Sequence, residues 1–251
     1  DIMEGGDGID TLDYSTSPAA VLVHMGTGVT EGGHAAGDTF SGIEILNGSA
    51  YNDTLTGDAS ANVLYGLAGN DILNGNVGAD TLYGGLGNDQ FYIDNIDDVV
   101  SEVGGGGTDT VFSTVNHTLG ADFENLTLIG TQSVNGTGNA GNNILTGNDG
   151  GGVFTGDNHL MGLGGNDTMY GGMGIDTLDG GTGNDLMAGG KMNDIYIVDS
   201  ATDQVIEYAN EGNDDLVMAS INYTLYDPVT SNHIENVTLA GTANLYAIGN
   251  N

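Results

Sequence analysis

The sequence predicts an all-β fold, a solenoid of very short strands stacked coil upon coil. Two observations carry this. Glycine and aspartate recur in a nine-residue phase along the chain, and a single apolar residue recurs at a fixed place in each nine. Self-similarity at a fixed short period is the signature of a repeat architecture. A third observation is the composition: of 251 residues, 46 are Gly, and 35 Asp and Glu face one Lys or Arg. That is far from ordinary globular usage.

The repeats come in two arrays. Residues 48–92 divide into GSAYNDTLT, GDASANVLY, GLAGNDILN, GNVGADTLY and GGLGNDQFY. Residues 162–197 divide into GLGGNDTMY, GGMGIDTLD, GGTGNDLMA and GGKMNDIYI. Single copies stand at 5–13 (GGDGIDTLD) and 104–112 (GGGGTDTVF). The template is Gly-Gly-x-Gly-x-Asp-x-apolar-x. Its first six residues read as a turn, where glycine tolerates positive φ and close backbone approach. Its last three read as a strand whose middle side chain points inward. Those inward residues are Leu55, Leu64, Leu73, Leu82 and Phe91, then Met169, Leu178, Met187 and Tyr196. One nonapeptide cannot bury its apolar residue alone. Two make a coil of about eighteen residues, and stacked coils share a continuous core. The sixth-position aspartates then line up along each edge.

The charge narrows the chemistry. A formal net charge of −34 repels itself, so the chain is either disordered or folded around bound cations. Disorder fits poorly with 38% hydrophobic residues spaced so regularly. Binding to nucleic acid or to an anionic membrane surface requires Lys and Arg, and only Lys191 is present. No stretch reaches the roughly 18 apolar residues of a membrane span. With no cysteine, disulfides and thiolate metal sites are excluded. Hard cations that take oxygen ligands remain, Ca²⁺ first among them. The five histidines are scattered, which argues against a catalytic or transition-metal role. Glu44, Glu124 and Glu235 share a local setting and read as buried structural carboxylates bonded to turns. The glycine-rich turns lack the Gly-Lys-Ser/Thr of a phosphate loop.

The nonapeptides resemble the repeats-in-toxin (RTX) hemolysin-type family, whose repeats form a calcium-binding parallel β-roll. The resemblance implies several Ca²⁺ ions, each held between same-edge turns of adjacent coils by the sixth-position carboxylates and by carbonyls of the glycine-rich positions. The implied carboxylate ligands are Asp10, Asp53, Asp71, Asp80, Asp89, Asp98, Asp109, Asp167, Asp176, Asp185, Asp194, Asp203 and Asp214. The implied pairs are Asp53 with Asp71, Asp71 with Asp89, Asp80 with Asp98, Asp167 with Asp185, Asp176 with Asp194, and Asp185 with Asp203. Implied backbone positions in the first array are Gly66, Ala68, Gly69, Gly75, Gly78, Gly84, Gly85 and Gly87. In the second they are Gly162, Gly165, Gly171, Gly174, Gly180, Gly181, Gly183 and Gly189. Asn62 and Asn158, like Asn143, replace the aspartate; an amide oxygen still ligates but without the charge, so these sites are expected to be weak or empty. Gly152 offers no ligand, and GNDGGG at 147–152 reads as an inserted loop. Tyr51 and Met192 stand at the fourth position, usually glycine, and are expected to distort their turns.

A longer duplication overlies the repeats: 91–111 matches 196–216, and 123–131 matches 234–242. The predicted organisation is a partial repeat and irregular β-coil over 1–47, a first calcium-binding array over 48–110, and calcium-free coils over 111–137. A second array follows over 138–215, and calcium-free coils with the start of the next repeat over 216–251. The chain opens and closes inside the pattern, so it reads as part of a longer protein. The resemblance implies bacterial type I secretion, with folding on external Ca²⁺. The expected function is an extracellular or cell-surface structural module of adhesin, surface-layer or filament type, itself not an enzyme. Its expected partners are calcium ions and copies of itself or other surface components, with no nucleic acid and no transmembrane segment. The alternative is a C-terminal calcium-binding carrier module of a secreted protease, lipase or polysaccharide epimerase whose catalytic domain lies elsewhere. A catalytic β-helix acting on polysaccharide is disfavoured by the single cation. Ice binding is disfavoured by a third position that reads Asp7, Ala68, Val77, Leu86, Met173, Thr182 and Lys191, with no threonine rank.

Overall fold

The computed structural model describes residues 1–102, 106–151, 156–225, 233–241 and 244–249. The described residues form only strands, turns and irregular segments. The chain makes two compact units, Asp1–Val115 and Asn116–Asn251, and each is a parallel β-solenoid.

In the first unit one sheet runs Val99–Ser101, Thr81–Leu86, Val63–Ala68, Ile45–Asn47, Thr11–Asp13. A second runs Thr110–Ser113, Gln90–Ile93, Ile72–Asn74, Thr54–Thr56, Leu22–His24. Neighbours pair in parallel with the register the repeat demands: Leu46, Leu64, Leu82 and Val100 stand side by side, as do Val23, Leu55, Leu73, Phe91 and Val111. In the second unit the columns are Leu126, Leu145, Met169, Met187 and Val205, and Leu160, Leu178, Tyr196, Val217 and Val237. All nine inward residues named from the sequence are 0% exposed. Each fully buried side chain of this size contributes about 1.5–3 kcal/mol. A three-residue strand buries only one such side chain, so the core exists only through stacking.

Departures from the eighteen-residue coil have local causes. The registers Leu145↔Met169 and Gly136↔Leu160 each span twenty-four residues, six more than the regular coil, while Gly147 stays in the stack with its N–H on the Tyr170 carbonyl at 2.7 Å. Gly152 itself lies outside the described residues, as do Gly104, Gly105, Asn250 and Asn251. The N-terminal region breaks the parallel rule: Leu22–His24 pairs in parallel with Thr54–Thr56 but antiparallel with Val29–Glu31. That hairpin closes through Gly28, at φ +70, whose N–H bonds the His24 carbonyl at 2.8 Å. Met192 takes a left-handed φ of +86 and keeps the turn path of its glycine counterparts, so the expected distortion is absent there.

Candidate calcium-binding turns

Each turn is built the same way. The first-position glycines 66, 75, 84, 162, 171, 180 and 189 sit where a Cβ would collide with the Oδ2 of the aspartate in the same turn. At Gly66 a Cβ would also come within 2.7 Å of the Gly84 carbonyl in the next coil. Glycine therefore clears a space into which a carboxylate oxygen and a carbonyl converge. The fourth-position glycines 69, 78, 87, 165, 174 and 183 all have left-handed φ, between +106 and +158. They reverse the chain against the coil before; a Cβ at Gly87, for example, would strike the Gly69 carbonyl. Ala68, at the third position, stays in strand register with Leu86.

The sixth-position carboxylates link coils one above another. The Oδ1 of Asp71 accepts the Asp53 N–H at 2.7 Å, Asp89 accepts that of Asp71 at 2.7 Å, and Asp80 accepts that of Asn62 at 2.7 Å. Asp98 accepts from Asp80 at 2.9 Å and Asp109 from Asp89 at 2.7 Å. In the second unit Asp167, Asp176, Asp185, Asp194 and Asp203 accept the amides of Asn143, Asn158, Asp167, Asp176 and Asp185. Every implied aspartate pair is thus brought together. Beside this column runs a second one, absent from the sequence reading: the amides of Asn70 and Asn88 bond the side-chain oxygens of Asn52 and Asn70, and Asn166 and Asn184 do the same with Asn142 and Asn166. The fifth-position Asn in GND was its signal.

The other carboxylate oxygen sorts the turns into two kinds. Oδ2 of Asp10, Asp71, Asp80, Asp89, Asp167, Asp176, Asp185 and Asp194 is buried and has no hydrogen-bond partner. In these eight turns the second residue, respectively Gly6, Leu67, Asn76, Gly85, Leu163, Gly172, Gly181 and Gly190, has a left-handed φ between +59 and +109. That conformation turns the second-position N–H away from the carboxylate. In the turns of Asp53, Asn62, Asp98, Asp203, Asn143 and Asn158 the second residue is not left-handed and its N–H bonds the sixth-position side chain. Ser49 bonds Asp53 in this way, Asp58 bonds Asn62 at 2.8 Å, Asp94 bonds Asp98 at 3.1 Å and Asp199 bonds Asp203 at 3.3 Å. Asn139 bonds Asn143 at 2.7 Å and Asn148 bonds Asn158 at 2.8 Å. The first kind leaves an oxygen open to a cation; the second is closed on itself. Asn143 and Asn158 also donate their amide NH₂ to carbonyls of the preceding coil, Phe123 at 3.0 Å and Val134 at 2.6 Å. A carboxylate could not make those bonds, which accounts for asparagine at the start of the array.

One predicted ligand is displaced. Asp214 is exposed and accepts from Asn236 Nδ2 at 2.6 Å, while Asp215, 0% exposed, accepts the Asp194 N–H at 2.8 Å. The coil from Tyr196 to Val217 is one residue longer than the matching coil from Phe91 to Val111, so the duplication slips by one at this turn. Two glutamates were also missed: Glu102 and Glu207 are buried and join Asp89 with Asp109 and Asp194 with Asp215. Glu44 and Glu235 accept the Asp10 and Asp215 amides, both at 2.9 Å, though none of the three expected glutamates is fully buried: Glu44 and Glu124 are half-buried and Glu235 is exposed.

Burial without a cation disfavours the charged form. It raises Asp71 and Asp176 to about 7, Asp80 and Asp167 to about 6, and Asp194 to about 8, against the lowering effect of the backbone N–H each accepts. Buried carboxylates must be paired, protonated or bound to a metal. Lys191 is the one Lys or Arg of the chain, and it is exposed. Orphaned carboxylate oxygens beside glycine carbonyls are a hard, all-oxygen donor set, which suits Ca²⁺.

A parallel β-solenoid with such turns is a calcium-binding repeat module. The family model of the RTX calcium-binding nonapeptide repeat matches residues 38–73, 56–91, 154–187, 162–196 and 170–205. The chain thus carries RTX calcium-binding nonapeptide repeats across both units.

Proposed function

We propose that the chain is a structural module of an extracellular or cell-surface protein, secreted by a bacterium and folded by Ca²⁺ outside the cell. The observation that supports this best is the set of nine buried aspartate oxygens left without partners among the described residues, in a chain of net charge −34. Without a cation these groups hold the chain apart; with one they join neighbouring turns. A ligand that binds only the folded state stabilises it by mass action. Extracellular calcium modules bind with Kd of about 10⁻⁴–10⁻³ M, so a reduced cytoplasmic Ca²⁺ level leaves the chain unfolded and an external one folds it. On this reading the segment has no enzymatic role, and its duplicated units extend a stalk or surface layer of adhesin or filament type. Circular dichroism in chelator and then in millimolar Ca²⁺ tests it. The expected result is a strand spectrum that appears with Ca²⁺; a strand spectrum already complete in chelator contradicts it. The second reading, a carrier module of a secreted enzyme, shares the calcium chemistry and would be favoured by a catalytic domain in the same polypeptide.

A further inference from the structure

We infer that Asp194, Glu207 and Asp215 form a Ca²⁺ site made of carboxylates, which closes the second array and which the nonapeptide pattern does not encode. The inference rests on the calcium reading above and adds a ligand of a different kind. Ala188 pairs with Ile206, so Glu207 lies beside Gly189, in the place that a first-position glycine holds in the coils before it. Along the array that place is kept empty by glycine. Here a carboxylate fills it.

Asp194, Glu207 and Asp215 are each 0% exposed. Each offers an oxygen within 4.8 Å of the other two. Independently of that clustering, Oδ2 of Asp194, Oε2 of Glu207 and Oδ2 of Asp215 have no hydrogen-bond partner. The other oxygens are engaged in ways that aim these three. Asp194 and Asp215 accept the amides of Asp176 and Asp194, both at 2.8 Å, and Glu207 Oε1 accepts the Tyr196 hydroxyl. Tyr196 is held in turn by the Gly189 N–H at 2.8 Å. Three buried anions without a cationic side chain repel one another strongly in a medium of reduced dielectric. Ca²⁺ accepts carboxylates in one- or two-oxygen modes, and this group meets it with three. The first unit carries the same arrangement: Tyr83 pairs with Ser101, so Glu102 stands beside Gly84, and Asp89, Glu102 and Asp109 form an equivalent buried group. Phe91 replaces Tyr196 there, and Glu102 accepts the Gly85 N–H at 3.1 Å instead.

Titration calorimetry of the whole chain with Ca²⁺ tests the site. Glu207→Gln is expected to lose one ion from the stoichiometry, or to weaken one ion at least tenfold, while Ca²⁺ still induces the strand spectrum. Asp214→Asn, which alters the exposed neighbour, is expected to bind like the wild type. Wild-type stoichiometry and affinity in Glu207→Gln would overturn the site alone and assign the group to shared protons. A wild-type chain that binds no Ca²⁺ would overturn the calcium reading and the site together. Should Glu207→Gln fail to fold, Tyr196→Phe keeps all three carboxylates and matches the first unit. Its tyrosine-sensitised Tb³⁺ emission is expected to lose one binding component, and unchanged emission would overturn the site.

Discussion

Asp71 and Asp53 hold the same place in the repeat yet differ in what Ca²⁺ would give them. Asp53 has both oxygens bonded, one to the Val21 N–H and the Ser49 hydroxyl, the other to the Ser49 N–H. Asp71 keeps Oδ2 buried and open, and its turn adjoins coils on both sides. Asp71→Ala is therefore expected to raise the Ca²⁺ midpoint for folding more than Asp53→Ala. A charge-assisted interaction is worth about 1.5–3 kcal/mol, so the Asp71 shift should be about tenfold or more. Calcium titrations followed by circular dichroism compare the two, and equal midpoints would show that the open oxygen is not what the ion uses. Protons compete with Ca²⁺ for the same oxygens. In the metal-free fold, burial holds Asp71 and Asp176 at about 7 and Asp194 at about 8, above the ordinary value of 3.8. The folded chain then binds more protons than the unfolded chain between those limits, so stability from these groups is present at low pH and is lost as pH rises through 7 to 8. Circular dichroism in chelator should show more residual strand at pH 5 than at pH 8, and the Ca²⁺ midpoint should rise on acidification. A metal-free chain that is less stable at pH 5 would contradict the burial of these carboxylates.

The turn is the element that decides between open and closed carboxylates, and the deciding feature is backbone conformation at its second residue. Leu67 and Leu163 are held at φ +78 and +74, where an L side chain costs about 1–2 kcal/mol. Leu67→Gly relieves that strain and loses some chain entropy, about 0.5–1 kcal/mol, so it should leave the Ca²⁺ midpoint unchanged or lower it slightly. Gly85→Ala, at the same place one coil on, keeps φ at +109 and drives its Cβ into the Leu67 carbonyl. It should raise the midpoint several-fold. A calcium titration of both variants checks the contrast, and similar behaviour would mean that the second-position backbone is not fixed by the turn. The strands between turns were legible because one apolar residue in nine has only one face to point to. The antiparallel hairpin at 22–31 was not legible: AAVLVHM has the apolar content of a strand but carries nothing that sets the direction of its neighbour.

At the scale of the molecule, stability passes from coil to coil. Asn236–Leu239 pairs with Leu216–Ala219, and Asn125–Leu128 pairs with Ile144–Thr146, each next to an array turn. These coils have few glycines and are held by apolar stacking and strand hydrogen bonds. In a solenoid each coil contacts only its neighbours, so coils lacking calcium still depend on those that bind it. Residues 112–135 and the described part of 217–246 are expected to hold no ion of their own, yet to lose hydrogen-exchange protection when Ca²⁺ is chelated. Exchange measured with and without chelator tests this; protection that survives chelation would make these coils an independent core.

By itself the sequence determined the solenoid, the inward column of Leu55, Leu73 and their counterparts, and the edge on which the aspartates stand. A nine-residue phase carries all three, because periodicity specifies which residues share a face. Only the tertiary structure decided which carboxylates are open, since that depends on φ at the preceding second residue and on whether the coil above offers an N–H or a carbonyl. It alone placed Asp215 in the column instead of Asp214, because one inserted residue in a loop moves every later side chain by one place. It alone brought Glu207 to Asp194, thirteen residues apart in the chain and one coil apart in space. Register across coils is a property of strand pairing, and no residue type announces it.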